Sequence, residues 1–548
     1  MSSFLTPDVY TEEVPVLSQS IAGVSTAVPA FIGFTEKAVK NGKSVSNSAI
    51  RISTFLEFRE MYGGAQKTEF EVLINDDEQL QKLTVIAPKN TLYYAIDLYF
   101  KNGGGDCYII SVGSFENTHN KLAFEKGLEV LSKEDEPTLI VLSEAAKLSA
   151  NDYHAICQQA LAQCADLKDR FCIFDIKKED EEANEFRNGI GTNNLKYGAA
   201  YTPYIHTSLN YIYKDQDVRV INLSSSSETA IFEVIHDGVR ITYTGDISEE
   251  PKYRINGGSG DTVEFSISSS KLLTISNVPA EGITASDLLD AWTAFDNKGD
   301  FDIEIVTENS LITATPGTGG QEIFKQGGSE GAFTLESRKG TALYSKIKSE
   351  LTKETIVLPP SSAVAGIYAT TDRERGVWKA PANVSVNSVI GPVVKISSAD
   401  QERLNVDVTN GKSVNAIRSF IGKGTLVWGA RTLAGNDNEW RYVSVRRLFN
   451  MIEESTKKAS HFAVFESNDT TTWLKVKAMI ESFLYGIWQQ GGLVGSTEEQ
   501  AYFVNVGLGK TMTQQDILEG RMVVEIGIAA ARPAEFIILK FSHKLQEV

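Results

Sequence analysis

The period of the apolar positions changes several times along the chain, and each change marks an element. Between about residues 50 and 200, short continuous apolar runs alternate with runs of helical spacing. Leu92, Ala95, Ile96 and Tyr99 share one face of a helix predicted over Leu92–Phe100; Gly103 to Gly105 stop it, and Cys107–Val112 resumes as a strand. Leu139–Leu142 reads as a buried strand, Ser149–Leu167 as an amphipathic helix and Phe171–Ile176 as a further strand. That order and spacing predict a βαβ crossover. Toward the C-terminus the α/β pattern returns with more aromatics. Val445, Leu448, Phe449 and Ile452 lie at helical spacing within Val443–Ala459, with Glu453/Lys457 and Glu454/Lys458 expected as i,i+4 pairs on the outer side. Trp473, Val476, Ile480, Phe483, Leu484 and Ile487 form the apolar face of a second helix, ended by Gly491 and Gly492. Thr513–Asp516 approximates a capping box for a short helix that Gly520 stops. Two strands, Met522–Ile528 and Glu535–Phe541, are predicted to close the chain.

Two stretches depart from this pattern. Thr6–Val16 is extended in character, and Pro7 and Pro15 remove two backbone donors, which excludes a helix and a central strand of the chain's own sheet. It reads as an arm, followed by a first strand within Val24–Phe34. Between about 221 and 330, short alternating runs are separated by Gly, Ser, Asn and Asp clusters, with one helical stretch near Ser286–Phe295. This is a β-rich module with linker-like flanks at 224–227 and 317–331, and it reads as an exposed insertion.

Charge sharpens the division. The 548 residues carry a net charge of −18, and residues 221–330 hold 18 Asp and Glu against 6 Lys and Arg. The sign disfavours nucleic acid and anionic lipid as partners. At 42% hydrophobic and 23% charged the chain has the composition of a globular protein, with room for about three or four domains. Cys107, Cys157, Cys164 and Cys172 include no C-x2-C pair, so buried reduced thiols are expected. No apolar run approaches the roughly 18 residues of a membrane span, and no signal peptide is evident; synthesis and assembly in a bacterial cytoplasm are the expectation.

Candidate chemistry adds little. Three Gly-Lys-Ser/Thr triplets at Gly42, Gly411 and Gly509 lack the earlier glycine of a phosphate loop, having Lys37, Val406 and Val504 in its place. Gly327–Gly331 satisfies G-x-S-x-G, but its approach is a glycine-rich linker and not a buried strand, so a flexible loop is favoured. His154, Cys157 and Cys164 could share a helical face without a fourth ligand. No catalytic, cofactor or metal site is expected. The basic residues Arg441, Arg446, Arg447, Lys457 and Lys458 are either internal ion pairs or a docking surface for an acidic partner. Asp372–Arg375 is equally ambiguous between a solvated loop and intersubunit pairs.

Several segments carry a resemblance in order. Leu358–Gly366 followed by Tyr368–Ala382, then Val427–Leu433, Trp440–Val443 with Arg446–Leu448, Phe465–Asn468 and Arg532–Phe536, resemble blocks of contractile tail sheath proteins. Upstream, Thr6–Glu13, Asn102–Gly105 and Tyr197–Tyr204 are similar to that family too. Asp8, Ser362 and Ser467 depart from its pattern and bear on local turns. The fold class expected is an α/β and α+β multidomain chain: a C-terminal α/β core domain completed by N- and C-terminal strand arms, a second α/β domain and a β-rich outer insertion. The expected segments are 1–35 as arm and first strand, 36–215 as a middle α/β domain, 216–335 as the insertion and 336–548 as the sheath core with its terminal arm.

The resemblance implies a non-enzymatic helical homopolymer around an inner tube protein, with baseplate and terminal cap proteins as further partners and no cofactor, nucleic acid or membrane insertion. Strand arms would be exchanged between copies, through Pro7, Val9, Tyr10, Glu12 and Val14 at one end and Glu535, Phe536, Ile538 and Lys540 at the other. Arg446, Arg447, Lys457, Lys458, Asp372, Arg373 and Arg375 are the candidate contacts to tube or neighbour. A soluble α/β enzyme and a non-contractile filament protein stand as alternatives. A phage tail and a phage-derived injection particle are not separated by the sequence.

Overall fold

The computed structural model describes residues 21–538 apart from 76, 224–228, 247–250, 259–261, 270, 280–281, 307–309, 315–320, 323, 327–331, 408 and 537. The predicted N-terminal arm with Pro7, Val9, Tyr10, Glu12 and Val14, the arm residue Lys540, and Gly327–Gly331 therefore lie outside the described residues. The chain is a mixed α/β protein of two compact units. One draws on the chain up to Gln66, Lys89–Leu209 and the chain from Thr355 onward; the other is Lys67–Pro88 with Asn210–Glu354.

The first unit is built on a nine-stranded sheet in the order Val384–Ser385, Gly424–Val427, Asn415–Phe420, Gly198–Thr202, Phe171–Asp175, Leu139–Val141, Pro29–Thr35, Cys107–Ser114, Ala49–Ile52. From Asn415–Phe420 to Cys107–Ser114 neighbouring strands run parallel, and the flanking strands pair antiparallel. A parallel sheet is covered on both faces, so its strands are apolar without alternation. Pro29–Thr35, Phe171–Asp175 and Gly198–Thr202 are buried at every position. The predicted crossover is present: Leu139–Val141 leads through helix Ala150–Leu167 to Phe171–Asp175, its parallel neighbour. Ser149 caps that helix by accepting from Asp152 N. His154, Cys157 and Cys164 are buried on it, and Cys164 Sγ lies 3.3 Å from Cys172 Sγ. No metal-binding cluster occurs among the described residues.

The segments 36–215 and 336–548, read from composition as separate domains, share this sheet. Tyr201 and Thr202 pair in parallel with Asn415 and Ala416. Helices Leu92–Lys101 and Ser361–Arg375 also pack together; a Cβ on Gly366 would lie 2.6 Å from the Tyr99 carbonyl oxygen, so only glycine permits that approach. Two buried carboxylates hold helix starts. Glu144 accepts from Phe34 N, Thr91 N and Leu92 N at 2.7, 2.5 and 3.0 Å, and burial pushes its pKa up. Asp175, at the end of its strand, accepts from Ser361 N at 2.7 Å and Ser361 Oγ at 2.5 Å.

The second unit holds a sheet of Ala332–Thr334, Val218–Leu223, Glu69–Asn75 and Leu80–Ile86, with Leu343, Ile347 and Leu351 of helix Ala342–Leu351 packed on Phe70, Val72 and Val220. The composition shift lies at about 221–330, and the expected insertion is 216–335. The unit also takes in Lys67–Pro88 and the helix after 335, because Val218–Leu223 pairs in parallel with Glu69–Asn75. Two further four-stranded sheets surround a core of Tyr243, Tyr253, Ile275, Leu288 and Trp292. Within it, Thr229–His236 and Val239–Asp246 form a hairpin. Its two-residue turn, Asp237 and Gly238 at φ 45° and 86°, suits the right-handed twist of the strands. Helix Ala285–Thr293 overlaps the helical stretch expected near Ser286–Phe295.

Burial raises the Asp175 pKa to about 7 from 3.8, against the lowering effect of its Ser361 hydrogen bonds. The folded state thus binds this proton more tightly than the unfolded chain, and the associated stability is full below about pH 4 and lost as pH rises through 7. Asp175→Asn removes the charge, with Oδ1 still accepting from Ser361 N and Nδ2 donating to Ser361 Oγ where the carboxylate oxygen accepted. Its stability should match the parent near pH 4 and exceed it above pH 7 by at most about 4 kcal/mol, one pKa unit being worth about 1.4 kcal/mol; denaturant titrations at the two pH values measure this.

Candidate intersubunit surface

Helix Val443–Ala459 starts beside the Arg431↔Tyr442 bridge, where Val443 N donates to Ala430 O at 3.0 Å. Its apolar residues Leu448, Met451 and Ile452 pack against Val476, Met479, Ile480, Leu484 and Ile487 of helix Thr470–Gln489, with Tyr502 and Val504 in the same cluster. Asp469 caps the second helix by accepting from Thr472 N. Thr513–Asp516 forms the expected capping box, reciprocal between Thr513 and Asp516.

The basic residues of the first helix divide into buried and exposed. Arg447 is buried, with Nη1 3.0 Å and Nη2 2.5 Å from the two Asp372 oxygens, Nη2 donating to Thr26 O at 2.8 Å, and its guanidinium 4.6 Å from the Tyr368 ring centre. Thr26 Oγ1 donates to the same carboxylate at 2.6 Å. Arg446 is also buried: Nε donates to Asn450 Oδ1, Nη2 to Glu453 Oε1, and the guanidinium lies 4.3 Å from the Trp440 ring centre. These three residues, Arg446, Arg447 and Asp372, are internal to the subunit and correct the expectation of tube or neighbour contacts. The partners of Arg447, which are Asp372 and Thr26, come from distant parts of the chain, whereas Arg446 is held by Asn450 and Glu453 of its own helix. Glu453 is likewise taken by Arg446 and not by Lys457; Lys457 and Lys458 both pair with Glu454, at 3.3 and 3.2 Å. Lys457 and Lys458 are 66% and 44% exposed at the side chain. Arg373 and Arg375 are exposed in the last turn of helix Ser361–Arg375, Arg373 donating to Gly103 O at 3.2 Å.

Strands Tyr502–Val506 and Val524–Ile528 form an antiparallel pair of their own. Tyr502, Val504, Val524, Ile526 and Ile528 face the helix cluster. On the outer face Phe503 lies across Gly527, its register partner, where a Cβ would sit 2.1 Å from the ring. Each strand has one partner in the sheet, so among the described residues each has an unpaired edge. Only a short stretch is otherwise met: Val494 N donates to Ala529 O and Ala531 N to Gly492 O. Exposed Leu518, Val523, Phe536 and Ile538 belong to the same part of the chain.

Glu535 sits differently from its expected place in an arm. Its carboxylate is gripped by Arg431, Nε at 2.9 Å from Oε1 and Nη2 at 2.6 Å from Oε2, with Asn405 Nδ2 at 3.0 Å and Tyr442 Oη at 3.3 Å. Burial works to raise its pKa, but the hydrogen bonds from Arg431 and Asn405 prevail and hold it below the usual carboxylate range. The contact is thus to its own subunit. The signal available in sequence was that Glu535 stands at the head of the apolar run 536–539. Phe536 and Ile538, just beyond, are 70% and 80% exposed.

The phage tail sheath protein central domain matches residues 309–433 and the phage tail sheath C-terminal domain residues 435–544. The tail sheath protein of Vibrio phage KVP40 is 26% identical over 185 residues, and a putative prophage major tail sheath protein of Pseudomonas aeruginosa is 28% identical over 140. The first covers 34% of this chain and the second 25%; they span 26% and 35% of those proteins, so the chain matches about a quarter to a third of its curated relatives' length. Solved structures extend the likeness. The contracted helical sheath of the anti-feeding prophage is 26% identical with a TM-score of 0.56, covering 99% of this chain and 100% of that one. The contracted sheath complex of the PVC extracellular contractile injection system is 26% identical with a TM-score of 0.55, covering 99% of each chain. By these matches the chain is similar to tail sheath proteins, over residues 309–433 and 435–544 by domain and over nearly its whole length by fold.

Arg447→Ala should destabilise the first unit by about 3–5 kcal/mol, because it strands the buried Asp372 carboxylate. Lys458→Ala, at an exposed pair, should change stability by less than about 1 kcal/mol. Denaturant unfolding of the two variants measures the contrast.

Proposed function

We propose that this chain is the structural subunit of a contractile sheath, which polymerises helically around an inner tube and shortens to drive that tube through a target envelope. The observation that carries the reading is the strand pair Tyr502–Val506 and Val524–Ile528, anchored on a hydrophobic base with an unpaired edge on each side among the described residues. Buried or ordered backbone groups need partners, and exposed edges recruit strands. An N-terminal strand around Pro7–Val16 from one copy and the segment beyond Glu535 from another complete this sheet in a third by β-augmentation. At about 1 kcal/mol for each main-chain hydrogen bond, five-residue strands on two edges contribute several kcal/mol per subunit. Such joints hold while the bodies they connect rotate.

Contraction in this scheme uses no nucleotide. The extended lattice is a metastable arrangement held at a baseplate, and release lets each subunit settle into better contacts and bias the next. Heterologous contacts that do not close make a filament and not a ring. The helix pair Val443–Ala459 and Thr470–Gln489 belongs to the domain that faces the tube, where Lys457 and Lys458 remain as contacts; Arg373 and Arg375 are neighbour contacts. The acidic module within 216–335 faces outward. Assembly takes place in a bacterial cytoplasm before the particle acts, with terminal cap proteins closing the sheath.

Deleting residues 1–19 should leave a folded subunit that no longer forms long sheaths in negative-stain images; long sheaths of ordinary stability contradict strand donation by that segment. Reversing both exposed charges, Lys457→Glu with Lys458→Glu, should weaken co-sedimentation of sheath with tube, most clearly at low salt. Unchanged co-sedimentation removes these lysines from the contact.

A further inference from the structure

We infer that Arg431 and Glu535 form the fixed point from which the C-terminal arm leaves its subunit, while Phe536 and Ile538 are the side chains that seat the arm on a neighbour. The inference rests on the reading of that segment as a donated strand. Up to Ala531 the chain is tied to the body by main-chain bonds, Ala529 N to Ala501 O at 2.8 Å and Ala531 N to Gly492 O at 3.1 Å. Pro533 then restricts the backbone, and two residues later the Glu535 carboxylate meets Arg431, Asn405 and Tyr442. The next described side chains, Phe536 and Ile538, are exposed, so the change from held to free falls within one residue. Residues two apart on a strand share a face, which presents both apolar groups together.

The anchor is rooted in the large sheet. Arg431 N donates to Asn415 Oδ1 at 2.8 Å, and Asn415 Nδ2 donates back to Arg431 O at 2.8 Å. Asn415 opens the strand that pairs with Tyr201, so the load on the arm passes through one ion pair into the parallel core. Arg431 is 6% and Glu535 22% exposed at the side chain, and a pair this sheltered is little screened by salt. An anchored exit shortens the free segment and lowers the ordering cost of docking. It also fixes register, and a slip of one residue would turn Phe536 and Ile538 to the wrong face.

The test compares Glu535→Ala, Glu535→Gln and the pair Phe536→Ser with Ile538→Ser in the full chain, by hydrogen exchange on the subunit and by sheath length in electron micrographs. Glu535→Ala should speed exchange of the amides of 529–536 by roughly ten-fold while leaving helix Val443–Ala459 protected. It should also shorten or abolish sheaths, with Glu535→Gln intermediate in both readouts. The double serine variant should leave exchange unchanged and still impair assembly. Unaltered exchange in both Glu535 variants overturns the anchor, as does a gain in exchange with sheaths of full length. Deletion of 536–548 separates the two ideas. Full-length sheaths from that deletion refute the donated arm; lost assembly there, with normal sheaths from both Glu535 variants, refutes the anchor alone.

Discussion

Backbone hydrogen bonding at the edges of one small sheet is the constraint on which the account turns. Tyr502–Val506 and Val524–Ile528 bury one face against two helices, so they cannot leave the surface without opening that core. Their outer edges, however, have no strand beside them among the described residues. A short pair held in place with open edges is unfavourable as an end state in water and favourable as a socket. In the proposed assembly, other copies of the same chain supply the strands that these edges lack.

The remainder of the first unit makes the socket rigid. Arg447 and Asp372 join the helix Val443–Ala459 to Ser361–Arg375 and to Thr26, just before the first strand of the sheet. Arg446, stacked against Trp440 and bonded to Asn450, links the same helix through Asn450 Nδ2 to Arg170 O. Buried ion pairs of this kind are weak evidence for added stability, since desolvation offsets much of their attraction. Their effect is on geometry: each fixes an angle between elements. A lattice that transmits motion from subunit to subunit requires bodies that rotate without deforming, joined at a few extended segments.

Much of the secondary structure was legible from periodicity. The helices Leu92–Lys101, Ala150–Leu167, Val443–Ala459 and Thr470–Gln489, and the strands between them, follow the spacing of apolar residues, with Ser149 and Thr513 marking starts. What was not legible depends on contacts between distant segments. Pairing of Tyr201 with Asn415 joins stretches that composition separates, and Val218–Leu223 beside Glu69–Asn75 moves the edge of the acidic module. Among the candidate contacts, Arg446, Arg447 and Asp372 turn inward, which their spacing does not reveal. Arg446 and Arg447 look like any basic pair on a helix, and only the fold brings Asp372 and Trp440 to them. Glu535 reads in sequence as an arm residue, and only the fold brings Arg431, Asn405 and Tyr442 to its carboxylate.

Whether copies complete one another's sheet is decided by a cryo-electron microscopy reconstruction of the assembled sheath. Tyr502–Val506 and Val524–Ile528 should form the middle of a four-stranded sheet, flanked by one N-terminal and one C-terminal segment from two other copies. These strands should stay paired in both extended and contracted particles. Edges left bare, or covered by the subunit's own termini, would contradict this arrangement.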